Sequence, residues 1–289
     1  MSLFFFVFLA CVLVLATVLV FASARWHSAT KATRIKLEAA RVSGGPSRFD
    51  PQELAGLPAP VVRYFRHVLG EGQPLVAAVR LEQKGTMNMR AQGQWWRPFA
   101  ATQRVEIKRP GFDWDARISL LPGLIVRVRD AYVAGEGLLQ ASLYGLLNVV
   151  QLRGRGAIGR DELMRYLAEA PLYPTALLPS QGVQWEPEDA QSAWATLKDG
   201  PHAVSLLFSF APGGEVDSVW APDRGRAKGR EVVPTPWLGR WGNYAQRDGL
   251  RIPLAGEVLW QLEQGEHPYW RGELTELRYT FSSPSEQES

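Results

Sequence analysis

The chain has 289 residues, of which 46% are hydrophobic and 21% charged, a composition ordinary for a globular protein with a sizeable core. Its formal net charge is +3, but residues 25–48 carry +5, which leaves −2 for the rest. The folded part therefore has no excess of positive charge, which argues against a nucleic-acid-binding protein. Cys11 is the single cysteine, which excludes a disulfide scaffold and a cysteine-based metal site.

The first element is a long apolar helix. Residues 3–22 contain no charge and are long enough to cross a hydrocarbon core about 30 Å thick. We interpret residues 1–24 as a single-pass transmembrane anchor in the cell membrane. A cleaved signal peptide is the alternative, because Ala22-Ser23-Ala24 resembles a cleavage site, but a basic segment before the apolar stretch is missing. The positive charge that follows the helix favours a cytoplasmic domain.

Residues 25–49 are interpreted as a basic juxtamembrane helix followed by a linker, since residues 43–47 read Ser-Gly-Gly-Pro-Ser. Basic side chains near a membrane are attracted to anionic lipid headgroups. A second basic stretch, residues 224–230, is broken by glycines and is either another headgroup contact or an exposed hairpin tip. The residues expected at the membrane surface are Arg25, Trp26, Lys31, Arg34, Lys36, Arg226 and Lys228.

From residue 76 the hydrophobic pattern has a period of two, which is typical of half-buried strands. Residues 112–120 show it most clearly, with apolar side chains at every even position. Two short helices are expected between residues 51 and 69, and one amphipathic helix over residues 160–170. Further strands are predicted at residues 76–84, 99–108, 124–133, 136–143, 192–198 and 202–210, with three long strands between residues 237 and 281.

These elements predict a mainly β fold with helices, of the α+β class. We expect one domain over residues 50–281 and a disordered tail over residues 282–289. Strands with one apolar and one polar face form a curved antiparallel sheet or half-barrel, here cradling the main helix. By analogy of fold alone, this architecture is similar to periplasmic lipoprotein carriers.

Five stretches also carry a resemblance to a known family. They are residues 57–70 (LPAPVVRYFRHVLG), 98–118 (PFAATQRVEIKRPGFDWDARI), 165–185 (RYLAEAPLYPTALLPSQGVQW), 236–262 (PWLGRWGNYAQRDGLRIPLAGEVLWQL) and 269–279 (YWRGELTELRY). Together they resemble an uncharacterised bacterial family, a domain of unknown function. The resemblance spans nearly the whole region after the linker. It implies a shared fold and no particular activity.

Few motifs of known chemistry occur. Residues 154–159 match the G-x-G-x-x-G pattern of dinucleotide sites, but the neighbouring strands do not alternate with helices, so a turn before a helix is the alternative. The four histidines are scattered, which disfavours a zinc or copper site. There is no G-x-S-x-G motif, P-loop or cysteine nucleophile. We predict no cofactor and no metal.

The polar face of residues 112–120 is the main candidate site. Asp113, Asp115 and Arg117 lie on it, and Asp130 is a potential cross-strand neighbour. This face is either solvated, or an anchor for a ligand headgroup, or an acid–base site. The apolar loop at residues 173–179 either enters the core or forms the lip of a pocket. The predicted ligand-binding residues are Trp114, Asp113, Asp115, Arg117, Asp130, Tyr173, Leu177 and Trp260.

Three functions remain open at this point. The leading hypothesis is a membrane-tethered domain that binds an apolar or lipid-like ligand in the concavity of the sheet, supported by the anchor and by the 11 tryptophans. Its partners would be membrane lipids and an apolar small molecule. The alternatives are a membrane-proximal protein-interaction or scaffold domain, and an enzyme using Asp113, Asp115 and Asp130.

Overall fold

The structure is a computed structural model that describes residues 2–42, 44–228 and 231–283. Its α-helices in these ranges are α1 (Ser2–Ala39), α2 (Ala59–Val68) and α3 (Ala157–Ala168). Its strands are β1 (Val76–Asn88), β2 (Trp96–Glu106), β3 (Gly111–Leu121), β4 (Leu124–Val133), β5 (Glu136–Leu143), β6 (Leu147–Gly154), β7 (Gln184–Pro187), β8 (Ser192–Asp199), β9 (His202–Phe210), β10 (Val216–Lys228), β11 (Glu231–Arg247), β12 (Leu250–Leu262) and β13 (Gly265–Phe281).

In the described ranges, all thirteen strands belong to one antiparallel sheet in the order β6-β5-β4-β3-β2-β1-β13-β12-β11-β10-β9-β8-β7. The sheet is open, with β6 and β7 at its edges. Because neighbouring strands are rotated by roughly 20–25°, a sheet this wide curls strongly. Tyr132 on β4 donates a 2.7 Å hydrogen bond to Asp199 at the end of β8, so distant strands meet across the curve. The predicted α+β class and curved antiparallel sheet are confirmed.

Helix α3 lies inside the curve, where it contacts β3 to β6 on one side and β9 and β10 on the other. The glycine-rich motif at residues 154–159 lies between β6 and the first turn of α3. Gly154 ends β6, which pairs antiparallel with β5. A Cβ on Gly159 would lie 2.6 Å from Nε2 of His202, so this glycine permits close packing of α3 against β9. The motif is therefore a turn into a packed helix in an antiparallel sheet, without the parallel strands of a dinucleotide fold.

Helix α2 and the short helical turns after α3 close one end of the curve and complete the core. Tyr64 and Phe65 of α2 are fully buried, as are Tyr173 and Leu177. The Tyr173 hydroxyl donates to the carbonyl of Tyr166 at 2.8 Å. The apolar loop at residues 173–179 thus belongs to the packed core, because residues 173–178 are buried and only Pro179 is half-buried.

Helix α1 is continuous across the predicted boundary between anchor and juxtamembrane helix. Its apolar stretch is long enough to cross a membrane as an anchor or to act as a signal sequence, and it is exposed. The second half packs on the convex face of the sheet, against β2, β3 and β4. Ala22, Trp26 and Leu37 are buried there. The second half of α1 therefore packs directly on the sheet and connects it to the apolar first half of the helix.

Polar contacts fasten this second half of α1 to β3. Asp115 accepts hydrogen bonds from Trp26 Nε1 at 3.0 Å and from Thr30 Oγ1 at 2.7 Å. Asp113 accepts from Arg34 Nε at 2.7 Å and is fully buried. We call these five residues the α1 clamp.

At the other end of the chain, the Ser282 amide donates to the carbonyl of Leu75 at 2.8 Å. Residues 284–289 of the predicted tail and Ser43 of the predicted linker lie outside the described residues.

Candidate ligand-binding cavity

A cavity of about 510 Å³ lies between α3 and the concave face of the sheet. This volume is within the range of roughly 300–1,000 Å³ that small-molecule sites occupy. Its walls come from β1, from β3 to β6 and from β10 to β13. The aromatic side chains that line it are Trp114, Trp237, Trp241, Trp260, Tyr269 and Trp270.

The alternation of β-strands places these aromatic rings on the concave face. On β11, Trp237 and Trp241 flank Gly239, and all three line the cavity. Glycine is needed beside the indoles: a Cβ on Gly239 would lie 3.3 Å from the Trp237 ring, and one on Gly256 of β12 would lie 2.9 Å from the Trp241 ring. Glycines thus leave room for large rings to lie along the sheet.

One end of the cavity is charged, where α3 faces β4 and β10. Arg165 pairs with Asp130 on β4 and, at 2.7 Å, with Glu169 on its own helix. Its guanidinium also lies 4.8 Å from the centre of the Trp114 ring. Arg224 on β10 lies 5.0 Å from the centre of the Trp237 ring. The cavity therefore combines an aromatic wall with a polar end beside α3, and further polar side chains also line it, namely Arg90, Arg226, Arg240, Glu257 and His267.

The carboxyl groups at this end are electrostatically perturbed. Burial raises the pKa of Glu162 well above its usual value, and the negative charge of Asp130 raises it further. Burial also raises the pKa of Asp130, although Arg165 opposes this. Burial acts to lower the pKa of Arg165, but the carboxylates around it raise that pKa above its ordinary value. Each of these two carboxyl groups therefore holds its proton to a higher pH than an ordinary carboxyl group does.

Three polar atoms at this end have no hydrogen-bond partner among the residues that the structure describes. They are Glu162 Oε2, Asp130 Oδ1 and Arg224 Nη1, all buried from solvent. Buried polar groups are usually satisfied, and leaving one unsatisfied costs about 1–3 kcal/mol. A ligand whose polar end meets these atoms would remove that cost.

We expect Glu162→Gln to raise the free energy of unfolding by about 1–3 kcal/mol at pH 8, because at this pH the wild-type carboxyl group must either stay buried as an incompletely paired charge or take up a proton on folding. The raised pKa means that the folded wild type loses stability as the pH rises above the value of an unfolded glutamate, about 4.3. The gain should therefore shrink as the pH falls and disappear below about pH 4. Thermal unfolding monitored by circular dichroism would measure it.

The exposed Glu82 provides the matched control, since Glu82→Gln removes a charge from the convex face of β1 and should change stability little at any pH. Destabilisation by Glu162→Gln across the whole pH range would contradict this expectation, because it would show that the Glu162 side chain makes stabilising hydrogen bonds that glutamine cannot replace.

Of the residues predicted to bind ligand, Trp114, Asp130 and Trp260 line this cavity. The others do not. Asp113, Asp115 and Arg117 lie on the convex face, because alternate side chains of one strand point to opposite sides. Tyr173 and Leu177 are enclosed in the core.

This placement corrects the grouping of three acidic residues in the catalytic hypothesis. Asp113 and Asp115 are covered by α1, whereas Asp130 faces α3 across the sheet. The three carboxylates therefore do not converge on one site, and the polar face of β3 does not face the concavity.

The predicted membrane-surface residues are also divided. Trp26 and Arg34 belong to the α1 clamp, while Lys31 and Lys36 are exposed on α1. The Arg25 guanidinium donates to the carbonyl of Gly145 at 3.0 Å. Arg226 lines the cavity mouth 6.0 Å from the Trp260 ring centre. The side chain of Lys228 lies outside the described residues.

Sequence reasoning missed Glu162, Arg165 and Arg224. A signal for the first two exists, since Glu162, Arg165 and Glu169 recur at helical spacing on one face of α3. The glycines of residues 224–230 suggest an exposed hairpin tip, but Arg224 to Lys228 continue β10. The missed residues thus lie on regular elements, where the alternation of faces would have placed them near the concavity.

Comparisons with solved structures return distant matches. A LolA superfamily protein from Nitrosomonas europaea aligns at 7% identity and a TM-score of 0.40, covering 78% of this chain and 94% of that chain. A beta-barrel-like protein of the domain of unknown function DUF1849 from Brucella abortus aligns at 10% identity and a TM-score of 0.26, covering 72% and 100%. Scores this low say nothing about ligand or activity.

No curated protein sequence matches the chain. The model of a family of unknown function, DUF6544, matches residues 47–272, which include α2, α3, β1 to β12 and the first part of β13. The resemblance to an uncharacterised family is confirmed, and this chain belongs to DUF6544.

Proposed function

We propose that this protein is held in a membrane by α1 and binds an apolar or amphiphilic, lipid-like ligand in the cavity of its curved sheet. The observation that carries the proposal is the open cavity of about 510 Å³ with an aromatic wall and a polar end. A sheet whose concave face were filled by α3 and its own side chains would have no room for a ligand.

The size of the expected effect follows from apolar burial. Each buried methylene contributes about 0.8 kcal/mol, so a chain of roughly ten methylenes would gain about 8 kcal/mol before the costs of association. The cost of association, roughly 4–15 kcal/mol, must be subtracted from this gain before it corresponds to an affinity. Aromatic rings add contact area without losing much side-chain freedom. This apolar contribution does not depend on a charge on the ligand.

The polar end of the cavity supports a ligand with a single polar head. Arg224 Nη1 can donate a hydrogen bond, and the carboxyl groups of Glu162 and Asp130 can donate when protonated or accept when ionised. An oxygen-bearing head such as a hydroxyl, ester or carboxyl group meets these requirements.

The anchoring role of α1 is supported by its continuity. The helix runs unbroken through the sequence that resembles a cleavage site, and its next residues are fastened to the sheet. The basic residues after the apolar stretch support a cytoplasmic location for the domain. In this arrangement the cavity stays close to a source of lipid.

Native mass spectrometry of the full chain, released from detergent, tests this function. We expect adducts with the mass of a lipid or fatty acid on protein purified from membranes, and their loss after extraction with organic solvent. Re-adding a single-chain fatty acid to the extracted protein should restore one adduct per chain. Protein that carries no adduct before extraction, and takes up none afterwards, would overturn the proposal.

A further inference from the structure

The edge of the sheet beside α1 carries exposed apolar side chains. They lie on β6, in the turn before it, and at the end of β3, where the turn between β3 and β4 begins. We call them the apolar rim: Leu121, Leu146, Leu147, Val149 and Val150. Leu147 and Val149 are 65% and 67% exposed. An unpaired edge strand with this composition is an aggregation hazard in water, so soluble proteins cover or charge such strands.

The apolar rim lies where α1 leaves its apolar stretch. The turn between β5 and β6 is packed on the helix, since a Cβ on Gly145 would lie 3.5 Å from the carbonyl oxygen of Ala22 and from Cβ of Trp26. The Arg25 guanidinium fixes the same turn through its bond to Gly145. Tyr144 links this turn to the other one: its amide donates to the Ile125 carbonyl at 2.9 Å and its hydroxyl donates to Gly123.

The exposure of the α1 side chains changes at the height of the turn between β5 and β6. Phe21 is 67% exposed, whereas Ala22, the next residue, is fully buried against the sheet. If the exposed residues before Ala22 are in lipid, as the proposed anchoring requires, the bilayer surface falls at the height of Gly145. The apolar rim then sits at the boundary between headgroups and acyl chains.

We propose that the apolar rim inserts into the membrane interface beside α1 and forms a second contact of the domain with lipid. Such insertion removes the exposed apolar surface of the edge strand from water. The neighbouring guanidiniums of Arg25 and Arg127, the latter 3.2 Å from Ser23 Oγ, lie at headgroup height. Two contacts, α1 and the rim, fix the rotation of the domain about the helix axis, which one helix alone would leave free. This inference rests on the anchoring part of the proposed function.

Fluorescence quenching in lipid nanodiscs tests it on the full chain. In a Cys11→Ser background, single cysteines carrying an environment-sensitive dye are placed by Leu147→Cys, Val14→Cys and Gln191→Cys, with acyl-chain-quencher lipids added. Side chains of an inserted surface lie about 5–10 Å below the headgroup boundary, so we expect about half of the Leu147→Cys signal to be quenched. Val14→Cys should be quenched at least as strongly. Gln191→Cys, exposed near the opposite edge of the sheet, should not be quenched.

The outcomes separate the two proposals. Quenching at Val14→Cys with none at Leu147→Cys or at a second rim position, Val149→Cys, would overturn the rim and leave the anchor intact. A blue shift at the rim without lipid quenching would mean that protein covers it, which also overturns the proposal. No quenching at Val14→Cys would overturn the anchoring role of α1 and the rim together.

Discussion

Replacing Arg34 by alanine is expected to lower the free energy of unfolding by about 3–5 kcal/mol, because it removes the ion-pair partner of a buried carboxylate. The Asp113 side chain is 0% exposed and the Arg34 side chain is 19% exposed. Burial already raises the pKa of Asp113 above its usual value, although Arg34 and Arg129 oppose this. Chemical unfolding of the full chain in detergent would measure the loss.

The effect of Arg34→Ala should depend on pH. Without the guanidinium the carboxyl group takes up a proton at higher pH in the folded state than in the unfolded state, so the variant loses stability as the pH rises above about 3.9. The deficit relative to wild type should therefore be largest at neutral pH and small at pH 3. A deficit of the same size at pH 3 would point to lost packing instead of an unpaired charge.

Two further variants sharpen this test. Lys84→Ala breaks an ion pair whose two side chains are 65% and 66% exposed, and should cost less than about 1 kcal/mol. The double replacement Arg34→Met with Asp113→Leu removes both charges, and should recover most of the stability lost in Arg34→Ala. A double variant as unstable as Arg34→Ala would show that the ion pair itself, and not the stranded charge, fastens α1.

The second large effect concerns the cavity. Val258→Trp is expected to weaken ligand binding by tenfold or more, which corresponds to about 1.4 kcal/mol, because the indole occupies space that the ligand needs. Filling an existing cavity avoids the cost of overpacking, so stability should change little. Fatty-acid titration followed by native mass spectrometry would measure the affinity.

Thr275→Trp is the control for this substitution, since Thr275 is exposed on β13 and does not line the cavity. It should bind ligand like wild type. Equal affinity of Val258→Trp and wild type would place the ligand elsewhere on the molecule. Loss of binding in Thr275→Trp would mean that tryptophan at either position disturbs the whole sheet.

The strands were predictable because the chain alternates regularly. Residues 112–120 lie in β3 with Trp114 on the apolar face, as the period of two indicates, and the strands predicted at residues 192–198 and 202–210 lie in β8 and β9. The alternation also placed Asp113 and Asp115 together on the polar face. It did not show that this polar face is the convex one, because that depends on which element covers it.

Long-range packing determines the features that sequence patterns do not predict, namely the partners of the basic residues on α1 and the polar end of the cavity. The basic residues after the apolar stretch predict contacts with a membrane surface, yet Arg34 donates a hydrogen bond to Asp113, which is distant in sequence. The polar end of the cavity joins Glu162 on α3 to Arg224 on β10 only because the sheet curls around the helix. The register of the thirteen strands that the structure describes, and not any local pattern, creates that proximity.

Photo-crosslinking of the full chain in membranes tests the central claim most directly. The probe is a fatty acid with a diazirine in its acyl chain, and the labelled residues are identified by peptide mass spectrometry. We predict labelling of cavity residues such as Met87, Met89 and Tyr269 in wild type and its loss in Val258→Trp. Label confined to α1 and the apolar rim, and equal in the two proteins, would contradict a ligand site inside the sheet.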